Sequence, residues 1–265
     1  MSKVHLVIPA RLGSTRLPRK PLIEVAGKPM IVWVAENASL IEADDLIVAV
    51  DDQEVMDVVR QHGFECLLTS KDHRSGSDRV LEVASELGWK DEDVLVNVQG
   101  DEPLLPTDIV NQLISFMKSD EDSGIDFATV SEPLSDQSEF ENPSCVKVVT
   151  DRDGVALYFS RAPIPFPRDQ GVFESISNGE YNNLVKVDYP IKRHVGIYAF
   201  RVHALRQFSA LPESGLERLE KLEQLRWLEA GRKIHVIHSK EPLPGGVDTP
   251  EDLAIVEPLL LKKLK

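Results

Sequence analysis

Short apolar runs alternate with amphipathic stretches through the first half of the chain. Val4–Pro9, Leu46–Val50, Glu65–Leu68, Val94–Gln99 and Phe127–Val130 read as strands. Between them, Pro29–Ile41, Gln53–Gln61, Asp78–Leu87 and Thr107–Lys118 carry apolar positions at helical spacing and read as helices. This alternation is the pattern of βα units feeding one sheet. It predicts an α/β fold in which a mostly parallel sheet is flanked by helices.

After Ser131 the pattern changes. Val146–Thr150 and Val155–Ser160 flank Asp151-Arg152-Asp153-Gly154, which predicts a hairpin with turn chemistry at its tip. A polar stretch with several prolines, Ala162 to Pro190, leads to a strand at His194–Phe200. Helices at Val202–Ala210 and Glu217–Glu229, a strand at Lys233–His238 and a last helix after Asp248-Thr249-Pro250 complete the pattern. Either Asp248 or Thr249 can cap that last helix, which opens on proline. The chain shows no internal repeat, and one principal domain over residues 1–265 is expected, with a possible smaller lobe.

Charge narrows the partners. The 30 Lys and Arg against 44 Asp and Glu leave a net charge of −14, which repels nucleic acid and anionic membrane surfaces. Neither is expected as a partner, and an anionic ligand needs a local basic pocket. The two cysteines, Cys66 and Cys145, are far apart and form no CxxC or Cys/His cluster, which fits a reduced, cytoplasmic setting. The opening run Val4–Ile8 is too short for a signal-peptide core, and no apolar run reaches the about 20 residues of a membrane span, so membrane insertion is not expected.

Three segments carry candidate chemistry. Directly after the first strand comes Pro9-Ala10-Arg11-Leu12-Gly13-Ser14-Thr15-Arg16-Leu17-Pro18-Arg19-Lys20-Pro21. The carboxyl ends of strands form the ligand crevice of open α/β sheets. A loop holding Arg11, Arg16, Arg19 and Lys20 there can bind phosphates; its bland alternative is a solvated basic turn. It matches neither GxGxxG nor GxxxxGK[ST], and the chain has no GxSxG or HExxH. The second segment, Val96-Asn97-Val98-Gln99-Gly100-Asp101-Glu102-Pro103, ends an apolar strand on an acid. Asp101 can share Mg²⁺ with substrate phosphates, or it can be an ordinary turn residue. The third, Gly245-Gly246-Val247-Asp248-Thr249-Pro250-Glu251-Asp252, is a helix start that could also bring a second carboxylate to the same crevice.

Taken in order, IPARLGSTRLPRKPL, GKPMI, HRSGSDR, VNVQGDEP, ALYFSRAPIP, RHVGIYAFR, LEKLEQLR and GVDTPEDL resemble the CMP-Kdo synthetases, the 3-deoxy-manno-octulosonate (Kdo) cytidylyltransferases, over nearly the whole chain. The resemblance implies a nucleotide-diphospho-sugar transferase-like fold, a sugar-side and dimerisation lobe at approximately 131–200, and a homodimer. It implies that CTP phosphates meet Arg11, Arg16 and Lys20, and that Ser75 and Gly76 define the cytosine pocket. It assigns Mg²⁺ to Asp101 and Asp248, and the catalytic set to these two with Lys20. Gln99, Arg161, His194, Tyr198, Glu223 and Gln224 fall near the sugar acid.

Each sugar-side residue also has a structural reading. Tyr198 could be core, Glu223 and Gln224 could sit on a solvated helix face, and His194 could be a buried structural histidine. Two departures from the family pattern stand out. Arg19 occupies a position usually held by glycine, so a different backbone path is expected there. The segment Gln170–Asp188, with Asn178-Gly179 as a turn signal, is longer than usual. The expected reaction is attack of the Kdo anomeric hydroxyl on the α-phosphorus of CTP. The alternatives are a cytidylyltransferase for 8-amino-Kdo or another keto sugar acid, a glycosyltransferase using a nucleotide sugar, and a non-catalytic nucleotide-binding regulator.

Overall fold

The computed structural model describes residues 2–14, 17–73, 75–119, 124–134, 137–166, 168 and 191–263. The long segment Gln170–Asp188 therefore lies outside the described residues. The chain begins with β1 (Val4–Ala10), a 3-10 turn at Lys20–Leu22, β2 (Glu24–Val25), β3 (Lys28–Pro29) and α1 (Met30–Ala38). There follow β4 (Asp45–Val50), α2 (Gln53–Gln61), β5 (Cys66–Leu68), α3 (Gly76–Glu86), β6 (Val94–Asn97) and α4 (Thr107–Ser119). The second half holds β7 (Phe127–Pro133), α5 (Gln137–Glu141), β8 (Lys147–Thr150), β9 (Ala156–Ser160) and β10 (Lys192–Arg201). It ends with α6 (Val202–Ala210), α7 (Gly215–Glu220), α8 (Gln224–Glu229), β11 (His235–His238) and α9 (Pro250–Lys263).

Two compact units divide these elements. One comprises Met1–Ser119, Ile197–Ser209 and Pro244–Lys265; the other comprises Asp120–Gly196 and Ala210–Leu243. In the first, the strand order is β5-β4-β1-β6, all parallel, and the last half of β10 runs antiparallel to β6. The expected α/β class with a mainly parallel, helix-flanked sheet is what is found. Strand β1 is buried along nearly its whole length, and in α1 every residue but Glu36 is buried. Such strands are covered on both faces, as parallel sheets require. Because β4 pairs with one side of β1 and β6 with the other, chain order reverses between β1 and β6. The loops leaving the two carboxyl ends diverge and open a crevice there.

A buried polar side chain sits in this sheet near the start of β1. His5, almost fully buried, stacks on Trp89 at 3.9 Å between ring centroids. Its Nδ1 meets Asp45 Oδ2 at 2.7 Å and its Nε2 meets Asp93 Oδ2 at 3.3 Å. The buried imidazole is thereby satisfied on both edges.

In the second unit β11 pairs in parallel with β7, β7 lies beside β10, and the first half of β10 runs antiparallel to β8. Strands β8 and β9 form the expected hairpin. At its tip the Asp151 carboxylate accepts the backbone N–H groups of Asp153 and Val155, and Gly154 supplies a φ of 80°.

One expectation is corrected here. The run Glu217–Glu229, read as a single helix, is two. A capping box of Ser214 and Glu217 starts α7, and Lys221 ends it in the left-handed conformation at φ 54°. The carbonyls released at this break are taken by Arg161, whose Nε donates to Glu220 O at 2.6 Å and whose Nη2 donates to Lys221 O at 3.4 Å. A periodicity that runs straight through the break hides it from sequence.

At the crevice the ends of β1 and β6 approach so closely that a Cβ on Gly100 would lie 2.7 Å from Pro9 O, a backbone atom that cannot step aside. Gly100→Ala is therefore expected to lower stability by about 1–3 kcal/mol, the usual cost of overpacking. Urea unfolding checks this, and an unchanged midpoint would show that the strand ends have slack.

Candidate active site

The crevice holds a cavity of about 460 Å³ whose walls include Arg11, Lys20, His73, Ser75, Arg79, Gln99, Asp101 and Asp248. The basic loop after β1, the acid loop after β6, the start of α3 and the segment before α9 all contribute. At one side the Lys20 ammonium lies between two acids, donating to Asp101 Oδ2 at 2.5 Å and to Asp248 Oδ1 at 2.8 Å. Lys20 is the least exposed of the three, and Asp248 is half exposed.

Apolar packing explains how three distant segments reach this point. Leu17 from the basic loop, Leu104 from the acid loop and Val247 from the last segment enter one buried cluster with Met30, Trp33, Val256 and Leu260. Burying each such side chain contributes about 1.5–3 kcal/mol. Their polar neighbours are thereby carried to a common rim. A backbone hydrogen bond from Val247 N–H to Asp101 O at 2.8 Å fixes the last approach. The cap of α9 is Thr249, whose Oγ1 accepts Asp252 N–H, while the Asp252 carboxylate accepts the N–H groups of Asp248 and Thr249. The Asp248 carboxylate, spared from capping, is the one turned to Lys20.

The basic loop departs from expectation at Arg19. A different backbone path was expected there, yet Arg19 itself adopts the left-handed conformation at φ 58°, ψ 33°. Its guanidinium pairs with Glu54 on α2, and its carbonyl accepts Leu22 N–H, starting the turn that carries Lys20. Arg16 lies outside the described residues.

On the α3 side, Ser75 caps the helix by accepting Asp78 N–H at its Oγ, so it faces the cavity with a hydroxyl already engaged. Sequence reasoning assigned no role to His73 or Arg79. His73 Nε2 is paired with Glu82, whose carboxylate also accepts Ser70 N–H. Despite burial, which opposes it, the Glu82 pKa is held below the usual carboxylate range by these bonds. Arg79 is almost fully buried, and burial lowers its pKa, assisted by the nearby charge of Arg11. Both residues sit in the HRSGSDR motif, where an arginine one turn into a helix that starts at the cavity was the readable signal.

The sugar-side candidates divide between the units. Gln99 lines the cavity, and Tyr198 is buried on β10 opposite Asn97, both in the first unit. Arg161, His194, Glu223 and Gln224 belong to the second. Gln224 is buried rather than solvated, and its Nε2 has no hydrogen-bond partner among the described residues. Arg161 also donates from Nη1 to Pro143 O at 2.8 Å. Among the described residues its guanidinium donates to the carbonyls of Pro143, Glu220 and Lys221, while its backbone N–H donates to the Glu220 carboxylate. Thr129 donates its hydroxyl to Val195 O and meets His194 Nε2 at 3.0 Å. Burial, then the charge of Arg193, pushes the His194 pKa down to about 3.

A family profile described as cytidylyltransferase matches residues 5–234. The 3-deoxy-manno-octulosonate cytidylyltransferase of Saccharophagus degradans is 49% identical over 253 residues, covering 94% of each chain. That of Cellvibrio japonicus is 45% identical over 256 residues, covering 97% of each. The chain belongs to the cytidylyltransferase family. A solved CMP:2-keto-3-deoxy-manno-octonic acid synthetase complexed with CTP superposes with a TM-score of 0.87 at 39% identity, over 99% of this chain and all of that one. A cytidylyltransferase from Leptospira borgpetersenii, at 16% identity and a TM-score of 0.60, shares the fold. Among the described residues of this cytidylyltransferase no helix is long and apolar enough to cross a membrane, and no three His, Cys, Asp or Glu side chains cluster as a metal site. Two carboxylates converging on one cation are nevertheless the donor set that Mg²⁺ uses when phosphates supply the remaining ligands.

The shielded His194 makes stability depend on pH. Its folded pKa is depressed, so from about 6.5 down to about 3 the unfolded chain takes up a proton that the folded chain refuses. Stability falls with falling pH in that window, by up to about 1.4 kcal/mol per unit from this one group. Urea unfolding between pH 7.5 and 5 should show a shallower loss for His194→Asn than for the wild type. Parallel curves would mean that the imidazole is freely protonated in the fold.

Proposed function

We propose that this protein transfers CMP from CTP to 3-deoxy-manno-octulosonate, giving CMP-Kdo and pyrophosphate. The observation that carries the reading is the convergence of Lys20, Asp101 and Asp248 at the rim of a basic-walled cavity, in a chain nearly half identical to Kdo cytidylyltransferases. The sugar hydroxyl oxygen forms a bond to the α-phosphorus of CTP. The bond from that phosphorus to the bridging oxygen of the β-phosphate breaks, pyrophosphate leaves, and the hydroxyl proton is released. No covalent intermediate on the protein is involved.

Arg11 and Lys20 hold the triphosphate and stabilise charge on its oxygens as the leaving group departs. Ser75 and Gly76, at the start of α3, receive the cytosine. Gln99, Arg161, His194, Tyr198, Glu223 and Gln224 bind the sugar acid, with Arg161 suited to its carboxylate. Asp101 and Asp248 would hold Mg²⁺, which when bound neutralises phosphate charge. Before the nucleotide arrives, Lys20 separates the two carboxylates that would otherwise repel each other. The chain acts as a cytoplasmic homodimer. Support for the dimer comes from Leu157, Phe166 and Leu219, each more than 60% exposed in the second unit, apolar surface that a second copy would cover.

The test is pyrophosphate release with CTP, Mg²⁺ and Kdo, run beside 8-amino-Kdo, sialic acid, a sugar-free control and the other nucleoside triphosphates. Release is expected only with CTP and Kdo, and Asp101→Asn should slow it about 10²–10³-fold, the scale of losing one preorganised electrostatic group. Release with the amino sugar alone would move the substrate. Retention of the wild-type rate by Asp101→Asn would remove the acid from the mechanism.

A further inference from the structure

Behind the phosphate-side wall of the cavity sits a carboxylate that neither lines it nor belongs to the acid pair. Asp51 follows the last residue of β4, with its side chain largely shielded from water. Its Oδ1 accepts the backbone N–H of Leu12 at 2.9 Å, and its Oδ2 faces Arg79 Nη2 at 3.4 Å. One carboxylate thus touches both the loop that bears Arg11 and a guanidinium that lines the same cavity from α3.

We propose that Asp51 is a positioning residue for CTP, aligning the phosphate-side loop and the Arg79 guanidinium against the same nucleotide. The inference rests on the CTP reading above and adds to it a residue that never meets the substrate.

The surroundings of Arg79 explain why such a residue is needed. Its Nη1 donates to Thr69 Oγ1, and Thr69 is itself immobilised, giving its N–H and its hydroxyl to Val50 O at 2.7 and 2.8 Å. That neutral anchor fixes one end of the guanidinium without balancing its charge. Arg11 repels it, and Glu82, the other acid acting on it, is already engaged by His73 and Ser70 N–H. Asp51, which is not among the residues lining the cavity, therefore supplies the counter-charge that holds Arg79 in the cavity wall, where its guanidinium can meet an incoming anion. Through Leu12 it sets the height of the backbone next to Arg11. Misplacing either group weakens phosphate binding without touching the sugar side or the acids at Lys20.

Asp51→Asn is nearly isosteric and keeps an acceptor for Leu12 N–H while removing the charge opposite Arg79. Asp51→Ala removes both. The full-length variants are compared with the wild type by calorimetric titration of CTP, by steady-state pyrophosphate release with each substrate varied, and by thermal unfolding. Asp51→Asn should weaken CTP binding and raise the KM for CTP about tenfold, the scale of losing one hydrogen bond to a charged group, with the KM for the sugar and kcat changed less than about twofold. Asp51→Ala should weaken CTP binding further. Unchanged CTP affinity in Asp51→Asn would overturn the inference. So would a loss shared equally by both substrates and accompanied by a lower melting temperature, since that marks a merely structural role. A wild type that binds CTP but releases no pyrophosphate would overturn the catalytic reading and leave the affinity comparison intact; a wild type that does not bind CTP would overturn both.

Discussion

The site depends on one ionic arrangement, a lysine ammonium held between two carboxylates that are 81 and 228 residues away from it in the chain. Two acids at the mouth of one cavity repel each other, and Lys20 removes that repulsion at 2.5 and 2.8 Å. The arrangement is partly buried, so losing any one member leaves charge without a partner in poor solvent. Apolar packing sustains it: Leu17, Leu104 and Val247 each stand close in sequence to one of the three charges and share a single cluster. The hydrophobic effect thus fixes where the charges meet, and the charges fix what can bind there.

The same logic runs through the rest of the first unit. A parallel sheet whose chain order reverses beside β1 opens a crevice at its carboxyl end, and the chain places its basic loop and its acid loop on the two sides of that reversal. Gly100 allows the strand ends to come within backbone contact, which no side chain would permit. A protein with a net charge of −14 can therefore attract a triphosphate locally, because Arg11, Lys20 and Arg79 line the same cavity.

Much of this was legible in the residues. The βα alternation of the first half gave elements that lie within a few residues of those found, and the Asp151–Gly154 tip read correctly as a hairpin turn. Sequence failed where local pattern and tertiary contact disagree. Nothing in the periodicity of Glu217–Glu229 reveals that Lys221 turns left-handed while Arg161 collects the carbonyls. At Arg19 the rule that positive φ belongs to glycine pointed away from the left-handed conformation, and the chain adopts it with an arginine that Glu54 holds from outside. Asp51 was invisible for a related reason, since an acid after a strand is common and its meaning lies in Leu12 and Arg79, brought to it by the fold. The meeting of Asp101 with Asp248 is likewise a tertiary event, made by one backbone bond and one apolar cluster.

A crystal structure of the protein with CTP and Mg²⁺ tests the central claim most directly. The expected result is a metal ion bound by both Asp101 and Asp248, with the Lys20 ammonium transferred to a phosphate oxygen of CTP in the same cavity. A nucleotide bound elsewhere, or one bound while Lys20 still bridges the two carboxylates and no metal joins them, would contradict it.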